Sequence, residues 1–265
     1  MKQKTIKEIS IEINEYKSFE DVETSIYKDD LRKGVQAALN KKQKQIEQLQ
    51  KLETQYLRMS EYENKLLENS SDALICGIDE VGRGPLAGPV VASAVILEPG
   101  HNYIGITDSK ALSQMKRELF EQQIHAQALS VGIGIATVEE IDELNIYQAT
   151  KVAMLRAIEQ LNVKPDHLLI DAMQLDIDIP QTSIVKGDAN SVSIAAASVI
   201  AKEYRDRLMN DYNSQYPGYE FDKNKGYGTK AHLEGVENYG ITPIHRLSFE
   251  PIKTKVKYYS NNSWN

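Results

Sequence analysis

The spacing of apolar residues along the chain changes character near residue 70. From Lys33 to Leu67 the residues Val35, Leu39, Ile46, Leu49, Leu52, Tyr56, Leu57 and Leu66 recur at helix-like spacings, mostly three, four and seven, which predicts a long amphipathic helix. From Ala73 onward the pattern shortens into β-prone runs separated by Gly, Pro and charged stretches. Strands are expected over Leu74–Glu80, Val90–Leu97, Ser130–Val138, His167–Ala172 and Ser183–Lys186. Helices are expected from Glu139 to Leu161 and from about Ser191 to Tyr212, the second carrying small residues at Ala195, Ala196, Ala197 and Ser198 that permit close packing. Pro217–Thr229 reads as loop, and the chain beyond Lys257 as a frayed tail. Strands first and strand–helix alternation afterwards imply an α/β fold, a mixed sheet flanked by helices. The expected division is an N-terminal helical extension over residues 1–70 and one catalytic domain over 71–265.

Composition narrows the class. A chain of 265 residues accommodates one sizeable core plus an appendage. It has no apolar run near the roughly 20 residues that cross a bilayer and no signal-peptide apolar region at its start, so a cytoplasmic protein without a membrane partner is expected. The single cysteine, Cys76, lies among apolar residues and reads as a small core residue. The formal charge of −7 argues against nucleic-acid binding only as an average, since phosphate contacts depend on local clusters.

The chemistry lies in the acids. Asp79 and Glu80, Asp171, and Asp188 each follow an apolar run, where sheets present functional groups. A carboxylate inside LLIDAM is costly to bury unless a cation or donors compensate it. Hard oxygen ligands suit Mg2+ or Mn2+, and no His or Cys spacing competes for a softer metal. Directly after the first pair, Gly82-Arg83-Gly84-Pro85 lets the backbone approach a ligand and expose N–H groups, although taken alone it is a turn, and it is neither a Walker A loop nor a GxGxxG fingerprint. Lys110, Lys186, Lys225 and Lys230 lie near these segments as candidate phosphate contacts. The run Lys41, Lys42, Lys44 and Lys51 reads first as a solvated helix face. The histidines are scattered, and His245 with Arg246 reads as a loop cap or brace.

CGIDEVGRGPLAGPVVASAVIL (Cys76–Leu97), DSK (Asp108–Lys110), LLIDAM (Leu168–Met173), KGDANSVSIAAASVIAK (Lys186–Lys202), KGYGTKAH (Lys225–His232) and HRLSF (His245–Phe249) together resemble the ribonuclease HII family in order and spacing, from about residue 73 to 252. The resemblance implies a ribonuclease-H-like mixed five-stranded sheet. It implies Asp79, Glu80, Asp171 and Asp188 as catalytic carboxylates and metal ligands. It also implies Gly82, Arg83 and Gly84 as the segment that senses a ribonucleotide 2′-hydroxyl, and Tyr227 as the residue stacked on the sugar at the DNA side. The implied partners are RNA/DNA hybrid and ribonucleotide-containing duplex DNA, and the implied reaction is cleavage 5′ to a ribonucleotide by two-metal-ion catalysis, leaving 3′-hydroxyl and 5′-phosphate ends. A monomer is expected. The resemblance leaves the role of the N-terminal extension open.

Overall fold

The structure, a computed structural model, describes residues 4–256; the expected fraying after Lys257 lies outside them. It divides into two compact units, Met1–Arg58 and Met59–Asn265.

In the first unit α1 (Ile6–Asn14) and α2 (Phe19–Glu23) begin at capping boxes, Thr5 with Glu8 and Ser18 with Asp21. They pack Ile9, Ile13 and Val22 on Val35, Leu39 and Ile46 of α3 (Lys33–Met59). This small core ends at Ile46. Leu49 and Leu57, expected on the buried stripe, are therefore 48% and 67% exposed. The helix expected to run to Leu67 breaks at Ser60, a residue type that prefers caps to helix interiors, and resumes as α4 (Glu61–Asn69).

The second unit is built on five strands: β1 (Ile75–Val81), β2 (Val90–Ile96), β3 (Ser130–Ala136) preceded by α5 (Gln114–Gln127), β4 (His167–Asp171) and β5 (Gln181–Ile184). Their order is β3-β2-β1-β4-β5, with antiparallel pairing on the β2–β3 side and parallel pairing on the β4–β5 side. The mixed five-stranded sheet is the expected one. The helix expected from Glu139 to Leu161 is two, α6 (Val138–Leu144) and α7 (Ile146–Glu159). Asn145 separates them at φ 71 and caps α7 by accepting from the N–H groups of Tyr147 and Gln148. After β5 come α8 (Gly187–Asn190), α9 (Val192–Gln215), α10 (Phe221–Asn224) and α11 (Lys230–Tyr239). Helices α5, α8 and α11 go beyond the elements read from the sequence, and Pro217–Thr229, expected as loop, holds the short α10.

Side-chain alternation sorts the central strands. Cys76, Ile78, Leu168 and Ile170 face α7, while Ile75 and Leu169 face α9 through Ile194. Helix α9 lies almost on the backbone of β1, because a Cβ on Gly77 would sit 2.1 Å from the carbonyl carbon of Ser193. Cys76 is fully buried, and burial pushes its thiol up to about 12, so it is core material as expected. Among the described residues no helix is long and apolar enough to cross a membrane.

Candidate active site

The parallel register Ile78↔Ile170 makes Asp79 and Asp171 the next residues on neighbouring strands. Their parity turns both toward α9. Glu80 has the opposite parity, but it stands one residue from the end of β1 and carries an extra methylene. Ligand oxygens of Asp79, Glu80 and Asp171 lie within 4.8 Å of one another. Few donors serve them: Asp79 Oδ1 accepts from the Glu80 N–H at 2.8 Å, and Asp171 Oδ1 from the Gly187 N–H at 2.6 Å. Glu80 Oε2 is buried with no hydrogen-bond partner.

Burial first, then the charges of Glu80 and Asp171, raise the Asp79 carboxyl well above the usual carboxylate range, while Ser198 on α9 opposes this as a hydrogen-bond partner. Glu80 is raised by burial, with Arg83 acting against it; Arg83 Nη1 is 3.6 Å from Glu80 Oε1. A cluster of acids that resists ionising together, with one orphaned oxygen and no softer ligand, fits a hard divalent cation.

Asp188 differs in setting. It follows β5 as expected but sits in the first turn of α8, outside the three-acid cluster. Burial and then the charges of Asp108 and Asp171 raise it to about 6, with Lys110 opposing. Asp108 is hydrogen-bonded to Asp188, and its sequence context alone gives it no role. The signal available was an acid two positions from Lys110 in the DSK segment. Ser198 reads from the sequence only as a small residue beside Ala195–Ala197; its Oγ lies 2.9 Å from that of Ser109.

The Gly82–Gly84 segment leaves β1 directly. Gly82 has φ +94, and a Cβ there would sit 2.2 Å from Arg205 Nε, so glycine is required twice over. Arg83 and Gly84 are exposed. Tyr227, 47% exposed, lies alongside: its Cε1 is 3.4 Å from where a Gly84 Cβ would be. Two buried arginines hold these loops through backbone carbonyls. Arg205 donates to those of Pro89, Ala87 and Lys225, at 2.9, 3.1 and 2.8 Å. Arg246, expected as part of a loop brace, is completely buried and donates to carbonyls of the Gly82–Gly88 loop.

The lysines separate. Lys110 is near enough to Glu80 and Asp188 to favour their charged forms. Lys186 is exposed in left-handed backbone at the start of α8. The Lys225 ammonium donates to Asn210 Oδ1 on α9 at 2.5 Å. Lys230, on α11, is 90% exposed and 3.6 Å from Glu234. In the N-terminal unit Lys42 donates to the Asn14 carbonyl and Lys51 pairs with Glu47.

Comparison with known proteins addresses the whole chain. The family model described as Ribonuclease HII matches residues 76–252, and the one described as Ribonuclease HII N-terminal domain matches residues 5–67. The ribonuclease HII of Staphylococcus saprophyticus is 56% identical over 95% of this chain and 98% of its own length. That of Staphylococcus epidermidis is 56% identical over 96% and 99%. Among solved structures, ribonuclease H2 from Pyrococcus horikoshii OT3 superposes with a TM-score of 0.61 at 25% identity, covering 71% of this chain and 99% of that one. With family matches spanning both units, the chain belongs to the ribonuclease HII family and is a ribonuclease H.

Proposed function

We propose that this ribonuclease H hydrolyses the RNA strand of RNA/DNA hybrids and incises 5′ to ribonucleotides embedded in duplex DNA, leaving 3′-hydroxyl and 5′-phosphate ends. The observation that carries the proposal is the adjacency of two features. Three carboxylates converge within 4.8 Å at the end of β1, and the same strand runs straight into a loop with Arg83 and Gly84 exposed, where Gly84 adjoins the Tyr227 ring.

In this reading Asp79, Glu80 and Asp171 would hold Mg2+ or Mn2+, and Asp188, close enough to Asp171 to feel its charge, would complete the set. A pair of such ions supplies an activated water and stabilises the leaving oxygen of a phosphodiester. The chain's own residues do the rest. The N–H groups around Arg83 present donors to a 2′-hydroxyl, which DNA lacks. The half-exposed Tyr227 ring offers a face to the neighbouring deoxyribose. Lys110, beside Glu80 and Asp188, contacts the phosphate nearest the acids, whereas Lys186, Lys225 and Lys230 contact flanking phosphates only on a substrate that reaches their separate positions. Catalysis is assigned to the domain from residue 71 onward, with residues 1–70 as its extension.

The test is incubation of the protein with an end-labelled DNA duplex containing one ribonucleotide, with Mg2+, with Mn2+ and with EDTA, followed by mapping of the cut. A metal-dependent nick on the 5′ side of the ribonucleotide is expected. Folded protein that makes no nick with either ion would overturn the proposal.

A further inference from the structure

Residues 242–246 touch both loops assigned to substrate, and they do so through buried groups that hold main-chain atoms. Arg246 Nη2 donates to the carbonyl of Gly82 at 2.5 Å and Nη1 to that of Arg83 at 2.9 Å, while Nε and Nη2 share the carbonyl of Gly88. Its guanidinium lies over the Phe249 ring, 5.0 Å from the centroid. Among the described residues no carboxylate forms an ion pair with it. In a trans peptide the carbonyl and the following N–H point in opposite directions. Turning the carbonyls of Gly82 and Arg83 inward therefore turns the N–H groups of Arg83 and Gly84 outward. Among the described residues none accepts a hydrogen bond from those two groups.

His245 reaches the other loop. Its Nε2 is 3.0 Å from His232 Nε2, and His232 Nδ1 is 2.9 Å from the carbonyl of Tyr227. That carbonyl can only accept, so His232 carries its proton on Nδ1 and presents a bare Nε2. His245 must then donate from Nε2 and accept at Nδ1, where the N–H and hydroxyl of Thr242 both lie at 2.9 Å. One tautomer pair matches donor to acceptor throughout, with the two Thr242 donors sharing the single lone pair of His245 Nδ1. The rings are enclosed by Tyr219 and Phe221, and His232 and His245 are 0% and 2% exposed. The backbone joins the two ends: the Arg246 N–H donates to Leu86, whose own N–H donates to Gly226.

We propose that His245, Arg246 and His232 are positioning residues that fix the distance between the outward N–H pair at Arg83 and Gly84 and the Tyr227 ring, and so set how strictly the enzyme requires a ribonucleotide followed by deoxyribose. The inference rests on the assignment of those two loops to the substrate. Burying a guanidinium on carbonyls alone is expensive, and a loop needing only to be closed has cheaper solutions. This arrangement instead indexes two peptide groups on one side and one carbonyl on the other from adjacent residues.

The test compares cleavage of a duplex carrying one ribonucleotide with cleavage of a duplex whose substrate strand is continuous RNA, by kcat and KM, for the wild type, His245→Phe, His245→Gln and Thr242→Val. His245→Phe keeps the ring volume and loses both nitrogens. We expect it to lower kcat on the single ribonucleotide by about tenfold or more, as displacements of about an ångström do. KM should change less than kcat, and the continuous RNA strand should lose less. His245→Gln, with an amide N–H near the position of Nε2, should restore much of the ratio between substrates. Thr242→Val, which keeps the backbone donor and removes only the hydroxyl, provides a milder version if His245→Phe does not fold. A substrate ratio unchanged in folded His245→Phe, or in Thr242→Val where His245→Phe is unfolded, overturns the proposal. Tyr227→Ala in parallel separates the two levels, because if it also leaves the ratio unchanged, the assignment of the Tyr227 loop to substrate has failed instead.

Discussion

Replacing Asp79 by Asn should stabilise the metal-free protein while abolishing turnover. Asp79, Glu80 and Asp171 bring ligand oxygens within 4.8 Å of one another in a buried setting. At that separation and an effective dielectric of about 20, two carboxylate charges repel by about 3 kcal/mol. Protons already relieve part of this, since burial and the neighbouring acids raise both Asp79 and Glu80. The expected gain is therefore about 1–3 kcal/mol, or roughly 2–10 °C in midpoint for a unit of this size. Its pH dependence has a definite sign. An acid with a raised folded pKa holds its proton more tightly folded than unfolded, so the wild type loses stability as pH rises from about 4 through the raised value. The advantage of Asp79→Asn should accordingly be larger at pH 8 than at pH 5.5. Millimolar Mg2+ or Mn2+ should reverse the order by binding the folded wild type. Differential scanning calorimetry in EDTA, repeated with each ion, reads all three quantities. An Asp79→Asn protein no more stable than the wild type in EDTA at pH 8 would refute the account of a closed, mutually repelling cluster.

Other regions give further expectations. Glu63 on α4 accepts from Ser191 Oγ at 2.6 Å and the Ser193 N–H at 3.0 Å, at the start of α9. Glu63→Ala should cost about 2 kcal/mol in denaturant titration, and a chain beginning at Leu74 should melt lower than one beginning at Met59. Gly77→Ala drives a Cβ into the backbone of α9 and should lose at least about 3 kcal/mol or fail to fold, read by circular dichroism. Burial and then the charge of His232 hold His245 down at about 4, and His232 is lowered too. Between pH 6.5 and about 4 the unfolded chain thus binds a proton that the fold refuses at His245, a loss of about 1.4 kcal/mol per pH unit from that residue, and His232 acts in the same direction. The wild type should lose stability more steeply than His245→Gln between pH 7 and pH 5, and parallel curves would contradict a His245 held neutral by its burial.

Much of the sheet was legible because its signal is local. Runs such as Val90–Leu97 and His167–Ala172 are short, apolar and set off by Pro or Gly nearby, and Asp79, Asp171 and Asp188, at the ends of such runs, stand out against apolar neighbours. The breaks at Ser60 and Asn145 were hidden because helical periodicity persists across a single non-helical residue. Leu49 and Leu57 look core-facing in a helical projection, but burial requires a partner element, and α1 and α2 are too short to supply one. Arg205 and Arg246 were the least visible. Arginine reads as surface by default, and their acceptors are backbone carbonyls, which every residue carries and no pattern reveals. That Glu80 joins Asp79 despite opposite parity depends on the strand ending one residue later.

The sheet order also bears on how the protein acquires its site in time. β1 and β2 join through an eight-residue connection, so a hairpin bearing Asp79 and Glu80 forms from local contacts. β4 reaches β1 only after about ninety residues have been looped out, a slow, entropically costly closure. The third acid therefore arrives late, and the repulsion it brings belongs to the native side of the folding barrier. Relieving that repulsion, by Asp79→Asn or by divalent ions, should lengthen the lifetime of the folded state and leave the rate of refolding nearly unchanged.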